Sequence, residues 1–394
     1  MPRSAASSVV SIAEEPPPKK QLVTASSSSS LLQLPDEITV NCLARVPRCY
    51  YPTISLVSKT FRRLIASPEI YIERSVNCRT EHVIYVVLRS YATETPRWYS
   101  LNLKPFGNES GSTGIGISHR LVPIPSFPPI PCWGMSIIAL ESEIYVLGGC
   151  IDDELVSTGF VIECPSYRCR YLPSMKQARG CAAVGFVDGK LYVIGGCDPL
   201  SLNWVEAFDV KTQTWETLLG INNVEVHEKT ITSFVMNDKV YIMDRKNSFV
   251  YDPKEGRLES DMLLDTQWSV CSCVIDDRLY TFGSKHKIWV FDPISRNWSG
   301  LKGEVDVPQK RDGCRMANHG GKLAIFYNRD KSFSNREEGS TEIWCTEIEL
   351  ERRGDKTWGT TLWSNLVITL KDPFTMLKLE KPLKVLEQLG LIKR

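Results

Sequence analysis

The sequence predicts a mainly β protein: a propeller of about six four-stranded blades, preceded by a small helical domain. Three observations lead there. A short apolar motif recurs at blade-sized steps, a turn-and-Trp landmark recurs between its copies, and helical patterning is confined to a stretch near the N-terminus. The motif first reads Ile144-Tyr145-Val146-Leu147-Gly148-Gly149-Cys150 and returns as Leu191-Tyr192-Val193-Ile194-Gly195-Gly196-Cys197. Weaker copies are Val240-Tyr241-Ile242-Met243, Leu279-Tyr280-Thr281-Phe282-Gly283 and Leu323-Ala324-Ile325-Phe326. The steps are 47, 49, 39 and 44 residues. A period of about 40 to 50 residues with only strand signals is that of a propeller blade.

The landmark has a physical reading. Asp209 precedes Trp215 by six residues, and Asp292 precedes Trp298 by six. Asp252 keeps the acid, but Leu258 takes the Trp place; Glu163 is followed by Cys169. An Asp entering a turn can hold the turn backbone, and a Trp on the following strand supplies apolar area where one sheet packs on the next. The diglycines allow close backbone approach. Five units lie between about 130 and 350. A sixth is expected to start at His82–Leu88, with Trp98–Leu101 as a later strand. Trp358–Trp363 or Leu366–Ile368 is expected to complete a blade begun elsewhere and so close the ring.

Composition bounds the rest. The chain has 394 residues, 42% hydrophobic and 24% charged, the profile of a soluble globular protein with length for two or three domains. A formal net charge of +1 gives no global field toward nucleic acid or an acidic membrane. No signal peptide or run of about 18 apolar residues is found. The thirteen cysteines are therefore expected as thiols in a reducing compartment. Cys271 and Cys273, and Cys164 and Cys169, lack a second pair at zinc spacing, so no metal or other cofactor is expected.

Residues 1–30, rich in Ser and Pro, read as a disordered arm. Residues 31–77 read as two or three short helices. Asp36 and Glu37 favour a helix N-terminus beside Pro35, and Val57, Phe61, Leu64 and Ile65 share one face before Ser67-Pro68 stops the pattern. Residues 80–370 form the propeller, and 371–394 a tail that is docked as a short helix or free.

The repeats resemble kelch repeats: an apolar strand ending in Gly-Gly, then an aromatic and a spaced Trp. The segment Leu34-Pro35-Asp36-Glu37-Ile38, then Pro47, then Leu56–Ile65 resembles an F-box. In that order they are similar to the plant F-box/kelch-repeat family. The resemblance implies the substrate receptor of a Skp–cullin–F-box ubiquitin ligase in the cytoplasm and/or nucleus. The F-box would bind a Skp-type adaptor and, through it, a cullin; the propeller would bind a protein substrate whose identity the sequence does not name. An F-box presents apolar side chains, so Leu34, Pro35, Ile38, Leu56, Val57 and Leu64 are the expected adaptor contacts.

Twelve residues before each motif stand Cys132, Arg179, Glu228, Gln267 and Arg311, followed by Trp133, Gly180, Lys229, Trp268 and Asp312. In kelch domains such positions line the channel mouth. Arg179 and Arg311 would then pair with acidic groups of a substrate, and Trp133 and Trp268 would be its anchors. The other reading makes these arginines inter-blade hydrogen-bond donors and these tryptophans core. Two other functions are weighed. A plain interaction protein, such as a cytoskeleton-binding kelch protein, would use the helical segment as a cap. A copper oxidase on a kelch propeller, as in galactose oxidase, needs clustered His and Tyr ligands. The five histidines here share no repeat-equivalent spacing, and no nucleophile–base motif appears, so no catalytic residue is expected.

Overall fold

The computed structural model describes residues 34–90, 96–107, 115–124, 131, 133–164, 168–218, 232–244, 247–283, 287–306, 314–328, 341–370 and 374–379. The expected N-terminal arm, Arg311 and the tail beyond 379 lie outside the described residues.

Alternating apolar runs pair with their sequence neighbours through two-residue turns. Asp188-Gly189, Asn237-Asp238, Asp276-Asp277 and Gly320-Gly321 all have positive φ at both positions, the conformation that matches strand twist in a tight hairpin. The result is six four-stranded antiparallel sheets. Blade 2 runs Ser136–Leu140, Glu143–Leu147, Gly159–Glu163, Arg168–Tyr171, and blade 3 Ala183–Val187, Lys190–Ile194, Val205–Asp209, Thr214–Leu218. Blade 4 runs Thr232–Met236, Lys239–Met243, Ser248–Asp252, Arg257–Ser260. Blade 5 runs Ser272–Ile275, Arg278–Phe282, Ile288–Asp292, Asn297–Gly300, and blade 6 Arg315–His319, Lys322–Asn328, Thr341–Arg353, Lys356–Leu370. In these five the first strand lines a central channel and the fourth is outermost.

Blade 1 is built differently. Its strands follow the order Phe374–Leu379, Tyr85–Ser90, Pro96–Gly107, Ile115–Pro123. Two expectations are corrected here. Trp358–Trp363 and Leu366–Ile368 are parts of one long outer strand of blade 6, and the ring is closed by Phe374–Leu379, which the sequence reading placed in the tail. Tyr85–Ser90 is accordingly the second strand of its blade, with the strand from the far end of the chain inside it.

No blade can bury both faces alone, and the ring solves this. Each of the six seams between neighbouring blades holds one hydrophobic cluster. At the closing seam Ile84, Val86 and Leu88 pack with Phe326, Ile343 and Cys345. The landmarks act as expected. Asp209 Oδ1 accepts from the amides of Lys211 and Thr212 at 2.8 and 2.9 Å, and Asp292 Oδ1 from that of Ile294 at 2.9 Å. Trp215 Nε1 donates to the Pro173 carbonyl at 2.8 Å and Trp298 Nε1 to that of Leu263 at 3.0 Å, each reaching the connection from the preceding blade. A Cβ at Gly148 would collide with the Arg179 carbonyl, and one at Gly196 would meet that of Gly180 at 2.7 Å. The diglycines therefore mark where one blade's backbone crosses the next connection.

Strand direction sorts the connections. Inner strands start, second strands finish, third strands start and outer strands finish at one end of the ring. Blade-to-blade segments and the links between second and third strands therefore share that end, here the loop end. The tight hairpins share the other, the turn end.

Before the ring, among the described residues, come four α-helices, α1 Asp36–Ala44, α2 Tyr51–Ile54, α3 Lys59–Ile65 and α4 Pro68–Val76, with a 3-10 turn at Arg48–Tyr50. Pro35 is the residue before α1, with Asp36 and Glu37 in the first turn. Ser58 caps α3 by accepting from the Phe61 amide at 3.1 Å. Ser67-Pro68 does more than stop α3: proline suits a first helical position, and α4 begins there. Val40, Leu43, Ala44, Tyr51, Phe61, Leu64, Ile70 and Tyr71 form this domain's own core.

Candidate functional site

Arg74 holds the helical domain together. Its buried guanidinium donates to the carbonyls of Ala44 at 3.0 Å and Val46 at 2.7 Å, and to the Tyr51 hydroxyl at 3.1 Å. Its other nitrogen pairs with Glu81 at 2.6 Å. The Tyr51 hydroxyl donates to the Leu43 carbonyl at 3.1 Å, and burial pushes its pKa up. Glu81 also accepts from the Arg48 amide at 3.1 Å, so the segment entering blade 1 is tied to the helices. The next residue, His82, gives its carbonyl to His319 Nε2 at 3.1 Å. His319 ends an inner strand, so this attachment lies at the turn end.

On this domain Leu34, Pro35, Ile38, Leu56 and Val57 are exposed, Leu56 at 76% and Val57 at 65%. Arg63 of α3 pairs with Asp36 of α1 at 2.6 Å and Arg62 Nε donates to the Ser55 carbonyl at 3.2 Å, bracing the two segments that carry them. Leu64 differs from its expectation: it is buried in the domain core, so its apolar side chain serves packing and is not presented outward.

The propeller candidates separate. Arg179 is 1% exposed, which corrects the expectation of a substrate-facing arginine. It pairs with fully buried Glu206 at 2.7 Å and donates to the carbonyls of Gly195, Asn203 and Trp204 at 2.7, 2.6 and 3.1 Å. Its backbone amide and carbonyl bond Val156 and Gly149 of blade 2. One residue thus pins blade 3 to blade 2. Trp268 is likewise corrected. It lies in the cluster between blades 4 and 5, with Nε1 donating to Ser272 Oγ at 3.0 Å and Phe234 at 6.2 Å between centroids. Trp133 is half-buried and lines the channel, its carbonyl accepting from the Cys150 amide at 2.9 Å.

The channel encloses about 470 Å³, lined by the inner strands of blades 2 to 6. Sequence reasoning took the positions twelve and eleven residues before each motif and so missed Arg315, which stands eight residues before Leu323 and lines the channel. Exposed apolar side chains gather at the loop end: Ile151, Leu155, Tyr171, Leu200, Leu202, Met262 and Val270. Elsewhere on the ring, among the described residues, Leu103, Ile294 and Leu362 are also exposed, and these lie toward the turn end. His119 and His319 converge on the seam between blades 6 and 1. His319 Nδ1 contacts Glu347, Trp363 Nε1 donates to Glu347 at 2.7 Å, and His119 stacks on Trp363 at 3.9 Å. Among the described residues no cluster of His, Cys, Asp or Glu is arranged to hold a metal ion, and no helix is long and apolar enough to cross a membrane.

Fold and surfaces define a two-faced interaction protein, a small helical module on one end of a propeller whose apolar loops point from the other. Residues 98–368 match the kelch-repeats domain family described as FKB95, and residues 31–73 match the F-box domain. The chain is 73% identical to F-box/kelch-repeat protein At4g39240 of Arabidopsis thaliana over 349 residues, 88% of this chain and 90% of that one. It is 54% identical to F-box/kelch-repeat protein At4g14905 of the same plant, over 95% of this chain and 97% of that one. The chain belongs to the F-box/kelch-repeat family. This is the architecture of an F-box substrate adaptor, and its F-box implies binding to a Skp-type adaptor.

Proposed function

We propose that the protein is the non-catalytic substrate-recognition subunit of a Skp–cullin–F-box ubiquitin ligase, working in the cytoplasm or nucleus. Its F-box docks the Skp-type adaptor through Leu34, Pro35, Ile38, Leu56 and Val57, and the adaptor brings the cullin. The loop end of the propeller holds the protein to be ubiquitinated. One observation carries this reading: exposed apolar residues stand on the F-box, which is attached at the turn end of the ring, and the larger of the ring's own exposed apolar sets stands on the loops at the opposite end. Exposed apolar patches on a folded protein mark association surfaces. Such a ring holds a bound protein at a set distance from the adaptor.

The test is reconstitution. The full chain is mixed with a Skp-type adaptor, a cullin–RING core and charged ubiquitin-conjugating enzyme, and proteins captured on the propeller are examined for ubiquitin. Adaptor-dependent ubiquitination of a captured protein is expected. Failure of the chain to join the adaptor, or capture without ubiquitination, overturns the proposal.

A further inference from the structure

The inner strands place one residue per blade opposite the fourth residue of the motif. In blades 2 to 6 these are Ser136, Ala183, Thr232, Cys271 and Arg315, facing Leu147, Ile194, Met243, Phe282 and Phe326. Four are small side chains. The fifth is an arginine, and it lines the channel.

Arg315 begins its strand, so it stands at the loop end with Trp133 and Thr232, while Asp277 lines the cavity at the turn end. Arg315 Nη1 donates to the adjacent Cys314 carbonyl at 2.8 Å, and among the described residues the guanidinium has no ion pair. The groups beside it are the thiols of Cys271 and Cys314, which contact each other. Burial pushes the Cys271 thiol well up, so it is neutral and offers no counter-charge. Burial also lowers the pKa of Arg315, the direction expected of a cation removed from water without a partner. Such a cation is costly unless something pairs with it.

The surrounding wall is mixed, with Thr232, Ser233, Ser272 and Asn318 among apolar side chains. Ile138, Phe186, Phe234 and Val270 face the cavity and keep part of their surface open to it. A volume of about 470 Å³ suits a small molecule, and a largely apolar pocket with a few placed polar and charged groups is the usual form of such a site. We infer that the propeller channel binds a small organic anion, with its carboxylate or sulfonate paired to Arg315 and its aromatic body along the apolar side chains of the inner strands. Asp277 at the far end orients the anion by repelling it. The site is independent of adaptor docking, so failure of the ligase reading leaves it standing, and the reverse also holds.

Calorimetric titration of the full chain tests this with 1-naphthoate, its uncharged counterpart 1-naphthamide, and inorganic sulfate. Naphthoate is expected to bind once per chain, at least about tenfold more tightly than naphthamide, as fits a charge-assisted contact. Sulfate, lacking the aromatic body, should not bind measurably. Arg315→Gln should bring naphthoate down to the naphthamide level, Arg315→Lys should retain part of the preference, and Thr232→Trp, which narrows the loop-end mouth, should weaken both aromatic probes. Equal binding of acid and amide, no binding of either, or an undiminished preference in Arg315→Gln overturns the inference. If Arg315→Gln does not fold, the two-probe comparison on the natural chain and Arg315→Lys still decide it.

Discussion

Arg179 and Glu206 illustrate how a side chain that reads as a partner contact becomes structural. Both are buried, and Glu206 also accepts from the amides of Lys176 and Gln177 at 2.7 and 3.1 Å. Removing the arginine leaves a buried carboxylate with its amide donors but without its cation. Arg179→Ala is therefore expected to cost about 3–5 kcal/mol, the range for breaking a buried pair, read from denaturant unfolding. His119 makes a second prediction. Burial between the outer strands of blades 1 and 6 lowers its pKa from 6.5 to about 4, with Glu347 opposing the shift and His319 and Lys322 adding to it. Between those values the unfolded chain binds the proton and the folded chain does not, so stability falls as pH drops from 6.5 toward 4. Stability measured across that window should flatten in His119→Phe, which keeps a ring on Trp363.

The blades were legible because their signals are local. The Asp holds its own turn, and the Trp six residues on and the diglycine meet only the connection to an adjacent blade. Phe374–Leu379 was not legible, because its partner Tyr85–Ser90 lies at the other end of the domain and no local pattern marks that pairing. Trp133 and Trp268 hold the same repeat position yet end differently. Trp268 finds Ser272 and the Phe234 ring and is buried, whereas Trp133 stays at the channel. Repeat register locates a position but does not say which neighbours will cover it. A chain ended after Leu370 should lose the inner strand of blade 1 and expose Tyr85–Ser90 as an edge. Its unfolding midpoint is expected to fall by at least about 10 °C, several kcal/mol at this size, with proteolytic cleavage appearing in blade 1. An unchanged midpoint would show that the ring does not depend on that strand.

The whole molecule joins two bodies through a short, well-bonded segment. Arg74, Glu81 and the His82 carbonyl fix the F-box to the turn end, and the apolar loops face away from it. The F-box and the propeller order were readable from sequence; which apolar residues face out was not. Leu56, Val57 and Leu64 look alike as a pattern, and only packing separates the exposed pair from the buried one. The exposed pair offers the most direct test. Leu56→Asp/Val57→Asp changes surface residues outside the domain core, so the chain should fold with an unchanged unfolding midpoint. Co-purification of natural and variant chains with a Skp-type adaptor should then show the natural chain bound and the variant at least about tenfold weaker, as fits the loss of apolar anchors at an interface. Equal capture of both chains, or of neither, would contradict docking through this surface.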